Sequence, residues 1–505
     1  MKTIAALALL AACFAPAVQA QEHEHHHEML GSVSFPISCA AETQEAFNRA
    51  VALLHSFAYE DAEQAFTDIA KRDPQCGIAW WGAAMTNYHQ VWPSPYSPAE
   101  LARGIEAAKK AEAAGAKTPR ERAYIDAIAT FYRDKNARAY EEKMAALSAA
   151  YPDDDEAAIF YGLSLVSHGM STPTDKTYTY QKKAAGIFNS LLAKHPDHPG
   201  IAHYLIHSFD YPALAPLALN AAYAYAKIAP SAPHALHMPS HIFVRLGMWD
   251  ETIASNIRSA DAAKARGASL HPGTFAFDSL HAYDYLTYAY LQRGEDEKVR
   301  KLVDEIAGIK SVDTENFAAY YAIAAIPARY AVERHRWDDA AALTVRADLP
   351  WDRYAYAEAM THFARALGAA RGGNPSGARA DVERLAALRQ KLLDQHNQYW
   401  ADQVDVQRRA SEAWIAFADG HRDEALTAMR SAADLEDSMD KSPVTPGAIV
   451  PVREMLGELL LETNHPAEAL AEYEKSLTES PNRLNALTGA ARAAQLTGDR
   501  TKAAT

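Results

Sequence analysis

The sequence lacks the features that mark nucleic-acid-binding or membrane-spanning proteins. Its 50 Lys and Arg residues are outnumbered by 64 Asp and Glu residues, so the net charge is −14 and no basic stripe is present. Beyond the N-terminus, no segment reaches the roughly 18 consecutive apolar residues of a membrane-spanning helix. We therefore expect neither a nucleic-acid partner nor a transmembrane segment.

Several common catalytic motifs are also missing. The chain has no Gly-rich phosphate loop, no Gly-x-Ser-x-Gly elbow and no Cys-x-x-Cys pair. With 49% hydrophobic and 23% charged residues, its composition is that of a well-packed globular protein. A length of 505 residues predicts two or more domains or an elongated array.

The N-terminus predicts export. Lys2 precedes an apolar stretch over residues 4–14, and residues 18–20 form a cleavage site with small residues at both required positions. Cleavage would remove residues 1–20 as a signal peptide and give a periplasmic or secreted protein. An alternative is that the sequence ending at Cys13 is a lipobox, which would make Cys13 a lipid-anchored first residue.

Residues 21–38 form a His-rich tail. It contains a His-Glu-x-x-His match from His23 to His27. The metalloprotease motif of that form requires a helix to align its ligands, whereas this segment is short and polar. We interpret it as a loose metal-binding tract, with a plain solvated tail as the alternative.

A helix-hairpin pattern recurs along the rest of the chain. An alanine, a large apolar residue, a smaller residue and a proline stand at offsets 0, +4, +7 and +12 in three segments. The first three positions share one helical face, and the proline ends the helix. The three sets are Ala62, Phe66, Ile69 and Pro74; Ala184, Phe188, Leu191 and Pro196; and Ala469, Tyr473, Ser476 and Pro481.

These offsets resemble the tetratricopeptide repeat (TPR), and Trp80 and Ala84 also stand where that family prefers Trp and a small residue. The resemblance covers residues 43–90, 139–260 and 450–498. It implies an all-α protein, an α-α superhelical solenoid of about ten TPR-like helix pairs, here of an exported bacterial type. We divide it into an N-terminal array over residues 39–310 and a C-terminal array over residues 311–505.

Two His-x-x-x-His pairs are separated by one repeat. His203 and His207 precede His237 and His241 by 34 residues. The i, i+4 spacing places both imidazoles of a pair on one helical face, and the resemblance implies that this face lines the concave groove. Because adjacent packed helices lie about 8–10 Å apart, we expect four imidazoles around one small volume.

Further polar residues are expected near these pairs. His234 lies three residues before His237, and His281 and Asp284 align with His234 and His237 when Gly294 is placed on Gly247. Imidazole suits zinc, copper, iron and nickel, so we predict a transition-metal site for zinc or copper, with iron as an alternative. The predicted ligands are His203, His207, His234, His237, His241, His281 and Asp284, and the further groove residues are His55, His89, His168, Asp210 and Arg245.

Three functions fit this pattern. The first is an exported solenoid that binds a transition metal in its groove. The second is a metal-dependent enzyme, a hydrolase or an oxidoreductase, with an open coordination position at the same site. The third is a scaffold that binds a peptide or protein without metal, with the histidines as packing residues.

Pro239, between His237 and His241, predicts either a bend inside a helix or a helix start.

Two further features concern the edges of the array. Cys39 and Cys76 flank one predicted hairpin, so helix packing would bring them to one end as a disulfide, with two separate buried thiols as the alternative. Two proline-rich segments, Asn87–Pro98 and Asp440–Glu454, are predicted to rim or cover the groove, or to be plain linkers.

Overall fold

The computed structural model describes residues 28–91 and 97–504. The predicted signal peptide, Cys13 and the histidines at positions 23 to 27 lie outside the described residues. Within the described part of the chain, no helix is both long enough and apolar enough to cross a membrane.

The fold is an all-α solenoid of antiparallel helix pairs, as predicted. The N-terminal helices, which run up to the second His pair, are α1 (Gln44–His55), α2 (Tyr59–Arg72), α3 (Gly77–Met85), α4 (Pro98–Ala114), α5 (Pro119–Asp134), α6 (Ala137–Ala150), α7 (Asp155–Met170), α8 (Thr179–Leu192), α9 (Pro199–Phe209), α10 (Leu219–Ile228), α11 (Pro233–His237) and α12 (Pro239–Arg245).

The remaining helices continue this array. They are α13 (Trp249–Leu270), α14 (Phe277–Gln292), α15 (Asp296–Ala307), α16 (Phe317–Glu333), α17 (Trp337–Ala341), α18 (Ala355–Arg371), α19 (Pro375–Asp394), α20 (Gln398–Ala418), α21 (Arg422–Asp437), α22 (Val452–Glu462), α23 (Pro466–Glu479), α24 (Leu484–Thr497) and α25 (Arg500–Ala504). Short 3₁₀ turns occupy Ala41–Thr43 and Ala215–Ala218, and the described residues contain no β-strand beyond an isolated bridge between Phe275 and Val312.

Local sequence rules set several helix starts. Ser97 and Thr118 form capping boxes with Glu100 and Glu121, and a proline is the first helical residue in both cases. The cap satisfies backbone N–H groups that have no partner inside the helix, and proline needs none. These helices therefore begin where the sequence alone would place them.

The recurring offsets mark the buried face of each second helix. Phe188 is fully buried, and its ring lies so close to Gly162 on α7 that a Cβ at that glycine would stand 2.5 Å from it. Tyr473 packs in the same way against Gly457 on α22. A large side chain on one helix thus fills the gap left by a glycine on its partner, which is how the repeat pattern fixes helix pairing.

Two large apolar cores run along the array. One extends from Leu30 to Phe243 and the other from Ala260 to Ala493, and a small cluster that includes Val244 and Trp249 lies between them. The predicted histidines lie near this junction. The division of the sequence at residue 310 stays a prediction.

The C-terminal part of the solenoid folds back onto its middle. The indole N–H of Trp249 donates to the carbonyl of Asn482 over 2.9 Å, and the Leu484 N–H donates to Gln292 over 2.9 Å. Arg483, which is fully buried, contacts Glu333 at 2.6 Å and Glu454 at 2.8 Å. These contacts join α13, α14, α16, α22 and the start of α24, so the array closes around its own groove.

At the N-terminal end, a disulfide joins Cys39 and Cys76, with their Cα atoms 5.2 Å apart. The bond closes a loop with a sequence separation of 37 residues across the hairpin of α1 and α2. By the loop-entropy model such a link stabilises the fold by roughly 4 kcal/mol.

We predict that Arg483→Ala lowers the free energy of unfolding by about 3–5 kcal/mol, because it leaves two buried carboxyl groups without their cation. Arg430→Ala is the matched control, since Arg430 pairs with Glu468 at the surface over 2.6 Å. Its expected change is under about 1 kcal/mol. Urea denaturation followed by circular dichroism measures both. Equal changes in the two variants would show that Arg483 does not stabilise the packing of the C-terminal helices against the middle of the array.

Candidate metal centre

Six of the predicted ligands form two groups of three buried imidazoles. The first group is His203, His207 and His234, and the second is His237, His241 and His281. In each group, one nitrogen of every ring lies within 4.8 Å of the others. The rings come from α9, α11, α12 and α14, so four helices position them.

The first group is centred on His203. Its Nε2 lies 3.0 Å from Nε2 of His207 and 3.2 Å from Nε2 of His234. Three nitrogens bound tetrahedrally to one ion at about 2.0–2.1 Å would lie roughly 3.3 Å apart. The two separations from His203 are therefore slightly shorter than, but close to, those of a metal-bound set.

The second group has the same form. Nε2 of His237 lies 3.0 Å from Nε2 of His241, and the ring centroids of His237 and His281 are 4.2 Å apart. His237 and His241 stand four residues apart, on either side of the junction between α11 and α12. Met238 keeps helical torsion angles, and Pro239 is the first residue of α12. Pro239 is thus a helix start. The backbone continues through it in a helical conformation, so the imidazoles of His237 and His241 stay on the same side of the chain.

Three acceptors outside the groups fix the ring orientation. Nδ1 of His203 donates to the backbone carbonyl of His55 over 2.7 Å, Nδ1 of His237 donates to Oδ1 of Asn256 over 2.6 Å, and Nδ1 of His241 donates to Oδ2 of Asp210 over 3.0 Å. A neutral ring that carries its proton on Nδ1 has its lone pair on Nε2. In these three rings Nε2 is therefore the nitrogen whose lone pair is turned towards the neighbouring imidazoles, an arrangement that also occurs in metal-ligating histidines.

Burial keeps the six rings neutral. It lowers the pKa of five of them well below the usual value for histidine and lowers the pKa of His237 to about 4. Repulsion from neighbouring imidazoles lowers the pKa values of those five rings further. Neutral imidazole is the form that binds metal, so these ligands need not lose a proton at neutral pH. Nδ1 of His207 is buried and has no hydrogen-bond partner among the described residues.

The predicted acidic ligand lies elsewhere. Oδ1 of Asp284 is 3.3 Å from the Arg329 guanidinium, and its Oδ2 is buried without a partner among the described residues. Burial raises the pKa of Asp284. The structure therefore does not bring this carboxylate to either group of imidazoles.

Asp210 and Arg245 support the second group from outside. Oδ1 of Asp210 accepts from Nε of Arg245 over 2.8 Å, while its Oδ2 faces His241. Arg245 also donates to the Asp210 backbone carbonyl over 2.7 Å. The pair buries a carboxylate beside its counter-cation, and the carboxylate orients His241 without occupying a ligand position.

Three predicted groove histidines have other partners. His55 lies between Glu156 and the Tyr204 hydroxyl, each 2.9 Å away, and only its carbonyl reaches His203. His89 stacks on Tyr59 with centroids 4.3 Å apart. His168 lies 2.7 Å from Glu141. The structure therefore does not bring these three rings to the two groups.

A third buried group, His55, Glu156 and His198, is a closed hydrogen-bond network. Both carboxylate oxygens of Glu156 are engaged, one by each histidine at 2.9 Å. The other nitrogen of His198 accepts from the Ile201 N–H over 3.3 Å. Because both oxygens and the other nitrogens of the two rings have partners, we interpret this group as support for the His55 carbonyl that holds His203.

The connection between α21 and α22, residues 438–451, covers the histidines and is named here the cover segment. The Tyr285 hydroxyl donates to the Pro443 carbonyl over 3.2 Å and lies 3.4 Å from both ring nitrogens of His241. The Ser442 N–H donates to the Tyr399 hydroxyl over 2.6 Å. Asp440–Glu454 is thus a cover, as one of its two interpretations predicted.

Among the cavities that adjoin the cover segment, two have walls that include residues of the candidate site. A cavity of about 10 Å³ lies on the histidine side and is lined by Phe57, Val91, His207, His234, His241, His281, Pro443 and Val444. A cavity of about 410 Å³ has walls that include Arg245, Tyr288, Tyr399, Trp400 and Lys441. Arg245 and Lys441 both line the larger cavity and both lie near the Asp210 carboxylate. Nζ of Lys441 is 3.7 Å from Asp210.

Sequence reasoning missed Asn256, Phe57 and Tyr285. Asn256 lies on α13 and Phe57 follows α1, and neither shares the 34-residue register of the histidines. Tyr285 stands four residues after His281 on α14, a spacing that would have placed it on the same face.

No protein-family model matches this chain, and no curated protein matches it. Among solved structures, yeast Tom70 is similar at 12% identity, with 91% of this chain and 97% of that chain covered and a TM-score of 0.33. The IFIT1 monomeric mutant with Gppp-AAAA is similar at 10% identity, with 85% and 88% covered and a TM-score of 0.35. The Cut9–Hcn1 hetero-tetramer of the APC/C gives 12% identity, 90% and 84% covered, and a TM-score of 0.29. At these scores the likenesses carry no argument about the function of this chain.

We predict that Asn256→Leu lowers metal affinity by about 10–100-fold, since it removes the acceptor that orients His237. The control is Ile257→Ala, because Ile257 is an exposed neighbour on the same helix. Competition with a chelator of known affinity measures both variants. Unchanged affinity in Asn256→Leu would show that this outer contact does not position the ring.

Proposed function

We propose that this protein binds transition-metal ions inside its solenoid, one ion at each three-histidine group. The observation that carries the proposal is that His203, His237 and His241 turn Nε2 towards neighbouring imidazoles, with their Nδ1 protons held outside by His55, Asn256 and Asp210. With both Nδ1 atoms protonated, the Nε2 lone pairs of His237 and His241 face each other across 3.0 Å. A cation between these two nitrogens would accept both lone pairs.

The ligand chemistry favours zinc or copper. Each group is made only of imidazole, which suits zinc, copper, iron and nickel, whereas magnesium, calcium and manganese prefer oxygen ligands. Three protein ligands leave a fourth position open on a tetrahedral ion. We further propose that the protein works outside the cytoplasm, which is consistent with its N-terminal sequence and with the Cys39–Cys76 disulfide.

A second candidate function is a metal-dependent enzyme that uses the same site. The 410 Å³ cavity favours it, because Arg245 lines that cavity and also holds the carboxylate that orients His241. Incubating small-molecule mixtures with metal-loaded protein and with metal-free protein, followed by mass spectrometry, tests this. Turnover that requires the metal supports the enzyme, and its absence leaves metal binding as the function.

We predict about two metal ions per chain after loading and dialysis, measured by mass spectrometry. Metal binding by the N-terminal tail is prevented by changing His23, His25, His26 and His27 to alanine, so that only ions at the interior sites are counted. In this background, His203→Ala/His237→Ala removes one ligand from each group, and we expect tightly bound metal to be lost.

The control for this experiment is His168→Ala in the same background, since His168 lies outside both groups. It should keep both ions, and circular dichroism should show that all variants are folded. If the protein with intact groups holds no metal after zinc or copper is added at neutral pH, the imidazoles are structural. The scaffold that binds a peptide or protein then becomes the favoured function.

A further inference from the structure

We propose that the two three-histidine groups hold two copper ions that act as one coupled centre and bind dioxygen between them. This inference rests on the proposed metal-binding function and adds the nature of the pair and of its small-molecule ligand.

The two groups are close enough to share a ligand. The rings of His207 and His241, from different groups, have centroids 5.9 Å apart, and those of His234 and His237 are 6.1 Å apart. Helix α11 contributes one ligand to each group, three residues apart. In two-metal sites the ions lie about 3.5–4 Å apart, a separation that such adjacent ring sets allow.

The same small cavity borders both groups. Its wall contains His207 and His234 from the first group and His241 and His281 from the second. An ion in either group would therefore direct its open position towards the same space. A ligand in that cavity would contact both ions.

The charge of the site favours copper in its monovalent state. All six ligands are neutral, and the nearest carboxylate, Asp210, is already paired with Arg245 at 2.8 Å. Two divalent ions would place four positive charges in a buried space. The Born cost grows with the square of the ionic charge, so each monovalent ion costs about a quarter as much as a divalent one. Imidazole is also a ligand that suits copper.

The cavity selects a very small apolar ligand. Its volume of about 10 Å³ is at the lower limit for one water molecule, so only the smallest ligands could lie beside the ions. The other walls are Phe57, Val91, Pro443 and Val444, whose side chains offer no hydrogen bond to an anion. Dioxygen meets both requirements and is an oxidant for copper(I).

The electron balance of the binding step needs both ions. Each copper(I) would give one electron to dioxygen, which would be reduced to the peroxide level while both ions became copper(II). No bond between the oxygen atoms is broken, and no proton or further reductant is required. One ion alone would supply half of the electrons.

The test uses the full mature chain with the four tail histidines changed to alanine. The protein is loaded with copper(I) without oxygen, its copper is counted, and it is then exposed to dioxygen. We expect two coppers per chain, a new near-ultraviolet absorption band and no EPR signal, because bridged copper(II) ions are magnetically coupled. His168→Ala, the matched control, should behave in the same way.

His281→Ala removes a ligand from the second group only. We expect this variant to retain one copper, to lose the absorption band and to show the EPR signal of isolated copper(II) after oxidation. Two coppers with a full EPR signal in the protein with intact groups would overturn the coupled centre and leave metal binding intact. Binding of zinc but not copper would overturn the copper assignment. Binding of no metal would overturn the proposed function itself.

Discussion

The interior of the solenoid is organised around six buried imidazoles, three of which have an outer acceptor for Nδ1. An unpartnered polar atom in a water-free interior costs several kcal/mol, of order 2–7 by transfer measurements. The fold provides acceptors for Nδ1 of His203, His237 and His241 from α1, α13 and the residue that follows α9. The Nε2 atoms are left to face one another. The same contacts that satisfy Nδ1 of these three rings thus turn their Nε2 atoms towards neighbouring imidazoles.

The supporting contacts extend well beyond the rings. Burial alone would raise the pKa of Glu156, yet His198 and His55 together hold it well below its usual value. That ionic group fixes His55, and the His55 carbonyl fixes His203. The Asp210–Arg245 pair does the same for His241. Each group of imidazoles is therefore positioned by a buried polar network, which gives the site a rigidity that exposed ligands on a groove surface would lack.

Closure of the array explains why the site is enclosed. In an open solenoid, first helices would line a groove exposed to solvent. Here the turn around Arg483 packs against α16 and α22, and the cover segment runs over the histidines. The resulting cavities differ about fortyfold in volume, roughly 10 Å³ beside the imidazoles and about 410 Å³ beyond the cover. A single segment of chain thus separates the two cavities.

The sequence determined the features that depend on local geometry. The Ala, large apolar and small offsets predicted which helix faces are buried, because they follow the 3.6-residue period of the helix. The 34-residue register predicted that the two His pairs would meet, since equivalent positions of adjacent repeats lie side by side. His234 and His281 followed from the same alignment. Asp284 was predicted from it too, but its carboxylate pairs with the buried guanidinium of Arg329 and not with the imidazoles.

Tertiary structure alone decided how the ligands divide into two groups and what surrounds them. The carbonyl of His55 reaches His203 across a sequence separation of 148 residues, and Pro443 reaches Tyr285 across 158. Such contacts depend on the curvature summed over many helix pairs and on the closure of the array. No local sequence pattern determines this overall curvature. The sequence by itself therefore determined the helices and which histidines would meet. The packing of the whole superhelix decided the outer partners of those histidines, the segment that covers them and the space beside them.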